Sequence, residues 1–345
     1  MDPTYKVLIV DDASFMVKAV GDLLESDPEI RVVGSAKNGA ECLEKIRELK
    51  PDVITLDIDM PIMDGITAIR HIMIETPVPI VVLSSMYGDG SITFEALRLG
   101  VVDFVPKPSG AISRNIGSRR NQIVDRIKLA TNVNMTNVRR VRLRKWDVRE
   151  DLTDRYGFQP MEYLLTMGTN LSGPNTFIRL LSNLSPSLPT GVVVVQEISP
   201  KILPAFAARF DEHVPWKVEA ATDGARLEQG SCYIASNENS LTVQQNGAGE
   251  PCIRLGERSD EPLNLLFSSA AEVFKQNTVG VLLTGLGVDG TEGFSRIKEK
   301  AGFTIAQSAS TCVYPNLTDN AIKNQTVDVV ADESSLSEKI ESAMV

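Results

Sequence analysis

The stretch "KVLIVDD", residues 6–12, opens with an apolar run of strand length and ends in two carboxylates. A run without polar alternation suits a strand buried on both faces, as in a parallel sheet covered by helices. Similar runs recur downstream: "RVVGSA" (31–36), "DVITL" (52–56), "PIVVLS" (79–84) and "DFVPK" (103–107). Between them, segments 14–25, 40–49, 65–75 and 91–99 repeat apolar residues at three- and four-residue steps, as in Leu43, Ile46 and Leu49 or Ile66, Ile69 and Met73. Strand and helix alternating on short loops predicts a doubly wound α/β domain.

At 345 residues the chain is long enough for a second domain of ordinary size. Ile116, Ile123 and Ile127 suggest a fifth helix, followed by a polar, Arg-rich stretch that reads as an interdomain linker. A second α/β series then begins at "EYLLTMG" (162–168). It continues through "TGVVVVQ" (190–196), "KVEAA" (217–221), "CYIAS" (232–236), "GVLLTG" (280–285) and "FTIAQS" (303–308), with helix-like segments 174–182, 200–210, 262–275 and 290–300 between. The expected organisation is a first domain over 1–125, a basic linker over 126–159 and a second domain over 160–345.

The longest apolar runs suit buried strands and are too short to span a bilayer, so no membrane insertion is expected. "MDPTYKVLIV" runs into a strand without a basic-then-apolar leader, and a cytoplasmic setting is the expectation. Cys42, Cys232, Cys252 and Cys312 are scattered, without a close pair to clasp zinc, and read as reduced core thiols. A formal charge of −10 argues against broad nucleic-acid binding. The basic stretch "VRRVRLRKWDVR" (138–149) runs against that sign and reads as a solvated linker helix or a dock for an acidic partner.

Ligands of open parallel sheets bind beyond the carboxyl ends of the strands, where strand order reverses. Asp11 and Asp12 follow the first strand, Asp57 the third, Ser84 closes the fourth and Lys107 the fifth. Three converging carboxylates repel one another unless a cation sits among them, and oxygen-only ligands at a cleft edge suit Mg²⁺. A carboxylate beside such an ion can attack phosphorus and give an aspartyl phosphate. Lys107 would neutralise charge on the transferred group, and the Ser84 hydroxyl would hydrogen-bond it.

"VLIVDD", "LDIDMPIMDG", "VVLSS" and "DFVPKP" together resemble the receiver domain of two-component response regulators, across residues 5–108. The resemblance implies the flavodoxin-like strand order 2-1-3-4-5, Mg²⁺ dependence and phosphorylation of Asp57 by a histidine kinase of the chemotaxis type. It implies that Asp59 lends its backbone carbonyl to the metal alongside Asp11, Asp12 and Asp57. It also implies that Lys107–Pro108 is cis and that Phe104 is an aromatic switch residue.

Residues 162 to about 335 are similar to the catalytic domain of the chemotaxis protein-glutamate methylesterase (CheB) family. "VGVLLTGLGVDG" (279–290), "LLFSSAAEVF", "CYIAS" and "AGFTIAQ" carry the likeness. The family is a Ser-His-Asp hydrolase of receptor glutamate esters and glutamines. Its aspartate falls on Asp289 here. Its serine, in a Gly-Ala-Ser-Thr-Gly-Gly turn, falls on Asn170 of "GTNLSG" (168–173), and its histidine, in Gln-His-Met-Pro, on Glu197 of "VVQEISP" (194–200). The family's Gly-Met-Pro is "NLT" (316–318) here. The chain's two histidines, His71 and His213, lie elsewhere in the sequence, and His213 reads as an exposed loop residue.

Ser-His-Asp catalysis needs a hydroxyl activated by an imidazole that shuttles a proton near neutral pH. Asn170 offers no nucleophile and an ionised Glu197 is a poor acid. The expectation is therefore a response regulator whose methylesterase-fold output domain is a pseudoenzyme. It would act by binding a chemoreceptor or adaptor protein, or as a phosphate sink. Three alternatives stand beside it: an active methylesterase or deamidase with a relocated nucleophile such as Ser172, a regulator binding nucleic acid through the basic linker, and a metal-dependent hydrolase built on Glu197 and Asp289.

Overall fold

A computed structural model of the chain describes residues 5–84, 89–107, 116–143, 161–171 and 173–344, with the side chains of 116–122 excepted. The chain divides into two compact units, Met1–Arg140 and Val141–Val345, and the division falls inside the 126–159 stretch expected to be linker. Among the described residues no helix is long and apolar enough to cross a membrane.

The first unit is built from β1 (Tyr5–Val10), α1 (Ser14–Leu24), β2 (Ile30–Ala36), α2 (Gly39–Leu49), β3 (Val53–Leu56), α3 (Gly65–Glu75), β4 (Ile80–Ser84), α4 (Gly90–Leu99), β5 (Asp103–Pro106) and α5 (Ile116–Thr131). The five strands are parallel in the order β2-β1-β3-β4-β5, as the receiver resemblance implies. Strand side chains alternate between faces. Leu8, Val10, Ile54, Leu56, Ile80 and Val82 form one core with Ile46, Ile69, Ile72, Ala96 and Leu99 of α2, α3 and α4. Val7, Ile9, Val53 and Val81 lie on the opposite face, where α1 and α5 bury Val20, Leu24, Ile123 and Ile127.

Helix starts are fixed by short polar side chains. The Asn38 amide oxygen accepts from the Glu41 N–H at 3.0 Å, and Asp64 accepts from the Thr67 N–H at 2.7 Å. Gly65 is required by a close approach: its N–H donates to the Ile58 carbonyl at 2.8 Å, and a Cβ there would collide with the Asp57 carbonyl oxygen and lie 2.7 Å from Ile58 Cα.

The second unit comprises β6 (Tyr163–Gly168), α6 (Gly173–Asn183), β7 (Thr190–Gln196), α7 (Leu203–Asp211), β8 (Lys217–Ala220), β9 (Ser231–Ser236), β10 (Ser240–Gln245), β11 (Pro251–Gly256), α8 (Pro262–Phe274), β12 (Thr278–Leu282), α9 (Thr291–Glu299), β13 (Phe303–Gln307), α10 (Asn316–Lys323), β14 (Val329–Ala331) and α11 (Leu336–Ser342). Seven strands form a parallel sheet ordered β14-β13-β12-β6-β7-β9-β8. The order reverses at β6, which pairs with β12 on one side and β7 on the other. Leu164, Val193 and Val195 pack with Leu263, Leu266 and Phe267 of α8, Phe294 and Ile297 of α9 and Leu317 of α10. Phe177 of α6 meets Phe210 of α7 edge to face at 5.5 Å.

The antiparallel β10–β11 hairpin, β14, α10 and α11 have no counterpart in the sequence reading. "SLTVQQ" and "PCIRLG" carry too few apolar residues to stand out as strands. They hold because Leu241, Val243 and Ile253 dock on the α8 side of the core. His213 departs from its reading as an exposed loop residue: it is buried, and its Nδ1 lies 2.8 Å from the Arg209 carbonyl oxygen at the end of α7. A Gly65→Ala substitution is expected to destabilise the first unit by about 1–3 kcal/mol, since the added carbon meets backbone that cannot yield cheaply. Chemical denaturation of the full chain, followed by a probe in that unit, measures it.

Candidate functional sites at the carboxyl edges of the two sheets

In the first unit the loops after β1 and β3 meet at the switch point between the two strands. The Asp57 N–H donates to the Val10 carbonyl at 2.9 Å and the Asp11 N–H to the Ala36 carbonyl at 3.0 Å, which fixes both side chains at the sheet edge. Asp11 and Asp57 are buried and Asp12 is exposed. Their carboxylate oxygens lie within 4.8 Å of one another, the one acidic group of three or more among the described residues close enough to hold an ion. Lys107, just past β5, places Nζ 2.7 Å from Asp11 and 2.7 Å from Asp57. Its own N–H donates to the Ser84 carbonyl at 3.1 Å, tying β5 to β4, and Ser84 is buried.

The residues predicted from sequence at four strand ends thus share one edge. Asp59 is exposed, and its carboxylate lies outside the acidic group. Phe104 is half-buried and packs on the core of the unit. The Lys107–Pro108 bond and residues 144–149 of the basic stretch lie outside the described residues, and residues 138–143 form neither helix nor strand.

Burial pushes the Asp57 carboxyl up from its ordinary range; Lys107 opposes the shift and Asp11 adds to it. Burial pulls Lys107 down, but its hydrogen bonds to Asp11 and Asp57 outweigh that, and the net shift is upward. Folded Asp57 holds its proton more tightly than unfolded Asp57, so its contribution to stability falls as pH rises from the ordinary carboxylate range through the raised value. The Lys107 contribution is complete below the ordinary lysine range and is lost as pH rises through the raised value.

In the second unit the turn after β6 and the loop after β12 meet at the switch point of the seven-stranded sheet. Thr169 Oγ1 donates to the Thr284 carbonyl at 2.7 Å; in the same buried polar layer the Thr284 N–H donates to Gln307 Oε1, and the Thr284 hydroxyl exchanges hydrogen bonds with the main chain of Tyr314. Asn170, at the turn, lies between the two loops. Its Nδ2 donates to the Leu286 carbonyl at 2.7 Å, and its Oδ1 accepts from the N–H groups of Leu171 and Leu286. Glu197 is half-buried just after β7. Ser172 lies outside the described residues.

Asp289 turns its carboxylate to the start of α8. One oxygen accepts from the Leu263 N–H at 2.8 Å and the other from the Asn264 N–H at 2.9 Å. Asn264 answers by accepting from the N–H groups of Gly290 and Gly293 at 2.9 and 2.8 Å, which caps α9. Each helix start is thus capped from the other. Burial raises the Asp289 carboxyl above its ordinary range, against the backbone hydrogen bonds from Leu263, Asn264 and Gly290.

The sequence reading did not single out Asn264, Asn316 or Asn320. The last two bracket Gly287, whose N–H donates to Asn316 Oδ1 at 2.6 Å and whose carbonyl accepts from Asn320 Nδ2 at 2.7 Å. The one signal for them was the "NLT" at 316–318 standing where the resemblance called for Gly-Met-Pro.

Two outcomes are expected. Lys107→Met leaves two buried carboxylates without their counter-charge and costs the ion-free first unit about 3 kcal/mol; it also moves the Asp57 titration further up, read by NMR of the carboxyl carbon. Asp289→Ala uncaps α8 and lowers the stability of the second unit by about 1–2 kcal/mol, with a smaller loss for Asp289→Asn, which keeps one acceptor. Denaturation of each variant checks the second.

Comparison with known proteins finds relatives for both units. The profile described as response regulator receiver domain matches residues 7–113, and the one described as CheB methylesterase matches residues 165–340. A protein-glutamate methylesterase/protein-glutamine glutaminase of Pyrococcus horikoshii is 33% identical, covering 98% of this chain and 93% of that protein. One of the same name from Symbiobacterium thermophilum is 37% identical over 89% of this chain and 88% of that protein. The crystal structure of the Thermotoga maritima CheB methylesterase catalytic domain aligns with a TM-score of 0.49 at 29% identity, covering 52% of this chain and 97% of that one. The chain belongs to the CheB family of response regulators, a receiver domain joined to a methylesterase domain.

Proposed function

We propose that this chain is a phosphorylation-controlled chemotaxis regulator, with a receiver over 1–125, a linker over 126–159 and an output domain over 160–345 that binds without hydrolysing. Asp57 is the phosphoacceptor in this reading. Asp11, Asp12 and Asp57, with the Asp59 backbone carbonyl, are the ligands of a Mg²⁺ ion. The fit rests on the carboxylates of Asp11, Asp12 and Asp57, whose oxygens lie within 4.8 Å of one another, with Lys107 as the cation that bridges Asp11 and Asp57. When bound, the ion neutralises phosphoryl oxygens. The side chains do the rest: the Asp57 carboxylate attacks phosphorus as the P–N bond to the donor histidine breaks and the imidazole leaves with the bonding pair, Lys107 moves with the new charge, and Ser84 and Phe104 report it to the surface of the domain. The phosphodonor is a histidine kinase of the chemotaxis type.

The loss of hydrolysis is carried by one observation. At the position matching the family's serine stands Asn170, a carboxamide with both ends taken up by main-chain groups. The position matching the family's histidine holds Glu197. Neither imidazole of the chain stands at a position matching the family's triad. His71 belongs to α3 of the receiver, where its Nδ1 lies 3.0 Å from Glu75, and His213 is buried at the end of α7. Loss of triad members removes on the order of a millionfold in turnover. The reading departs from the activity in the names of the relatives. It leaves the output domain to dock on a chemoreceptor or adaptor, or the receiver to draw phosphoryl groups as a sink.

Two assays test it. A small phosphodonor with Mg²⁺ is expected to label the purified chain and to leave Asp57→Asn unlabelled; label on that variant refutes the phosphoacceptor. Methanol release from methylated receptors is expected to stay at background. Turnover that disappears with Asn170→Ala or Ser172→Ala establishes a relocated nucleophile instead.

A further inference from the structure

Asn170 Oδ1 accepts from two main-chain N–H groups on separate loops, Leu171 at 2.7 Å and Leu286 at 2.8 Å. Two N–H groups converging on one oxygen make a nest for an anion or a polarised carbonyl oxygen. On the far side of the amide, Nδ2 donates to the Leu286 carbonyl at 2.7 Å. The surroundings therefore present two donors and one acceptor, and a primary carboxamide satisfies all three. A carboxylate would satisfy the donors but set its second oxygen against the Leu286 carbonyl. The approach is close enough to need glycine at 285, where a Cβ would collide with Asn170 Oδ1 and lie 2.9 Å from Leu317 Cδ2.

The far wall of this nest does not depend on Asn170 alone. Gly287, next in the chain, is held through both its N–H and its carbonyl by Asn316 and Asn320. Thr169 ties the other side to the Thr284 carbonyl. Removing the Asn170 side chain leaves these ties in place, so the two N–H groups and the carbonyl remain aimed at the vacated space.

We propose that the Leu171 and Leu286 main-chain groups form a primary-carboxamide site that the chain keeps filled with its own Asn170 side chain. This deepens the non-hydrolytic reading, and it rests on the placement of Asn170 given there. The carboxamide is an internal ligand: it takes the two donors that an incoming acyl oxygen would need, so the turn is closed to substrate as well as lacking a nucleophile.

The test uses the ¹⁵N-labelled full chain with acetamide and, separately, acetate. In Asn170→Ala, acetamide is expected to shift the Leu171 and Leu286 amide resonances saturably, and acetate to shift them far less. The wild type is expected to respond to neither, and Asn170→Asp, which keeps an oxygen in the nest, to remain unresponsive to acetamide. Equal responses of wild type and Asn170→Ala overturn the proposal, as does a folded Asn170→Ala chain that ignores acetamide or prefers acetate. Hydrogen exchange gives a second reading, whose wild-type arm needs no variant to fold. The Leu171 and Leu286 amides should be protected in the wild type and exchange about tenfold faster in Asn170→Ser, the factor one lost hydrogen bond of ordinary strength gives. Rapid exchange of both in the wild type also overturns it. Neither measurement reads turnover, so methanol release by the wild type would sink the non-hydrolytic reading while leaving these amide signals to stand or fall separately.

Discussion

A parallel sheet ends all its strands at one edge, and the main-chain groups there run out of ladder partners. Where the strand order reverses, at β1/β3 in the first unit and β6/β12 in the second, two loops diverge and leave a cleft lined by such groups. Whatever side chains the sequence places there must satisfy the backbone, one another or a ligand. The two units of this chain answer the same demand with opposite chemistry.

The first unit answers with charge. Asp11 and Asp57 are buried close together, and the Lys107 ammonium between them makes that arrangement tolerable. Such a cluster is unfinished. It sets one lysine against three aspartates, with Asp12 exposed, and its oxygens are close enough together to hold a cation. Burial is the main cause of the upward shift of Asp57, with Asp11 adding to it and Lys107 opposing it.

The second unit answers with neutral amides, and there the account closes. Leu286 and Gly287 present two N–H groups and two carbonyls, and Asn170, Asn316 and Asn320 bond all four. The one retained acid, Asp289, has both oxygens on the start of α8, while Asn264 caps α9 in return. These contacts join the loop after β12 to the turn after β6 and to α10, and the start of α8 to that of α9. The ties that join these loops are hydrogen bonds to side-chain amides and hydroxyls, whereas Gln196, buried at the end of β7, leaves both its side-chain polar atoms without a partner among the described residues.

Sequence alone determined the two α/β series, because buried parallel strands need unbroken apolar runs, and it determined the acids and the lysine at the ends of the receiver strands. Through the family resemblance it also led to the expectation that Asn170 and Glu197 stand where the family has a serine and a histidine. Strands β10 and β11 escaped it, since their burial depends on α8 and not on their own pattern. So did the burial of His213 behind α7. The direction of the Asp289 carboxylate, the reciprocal caps and the filling of the Leu171–Leu286 nest were decided only by the tertiary structure. Each joins groups far apart in the chain, and a hydrogen bond of that kind has no periodicity for a sequence to display.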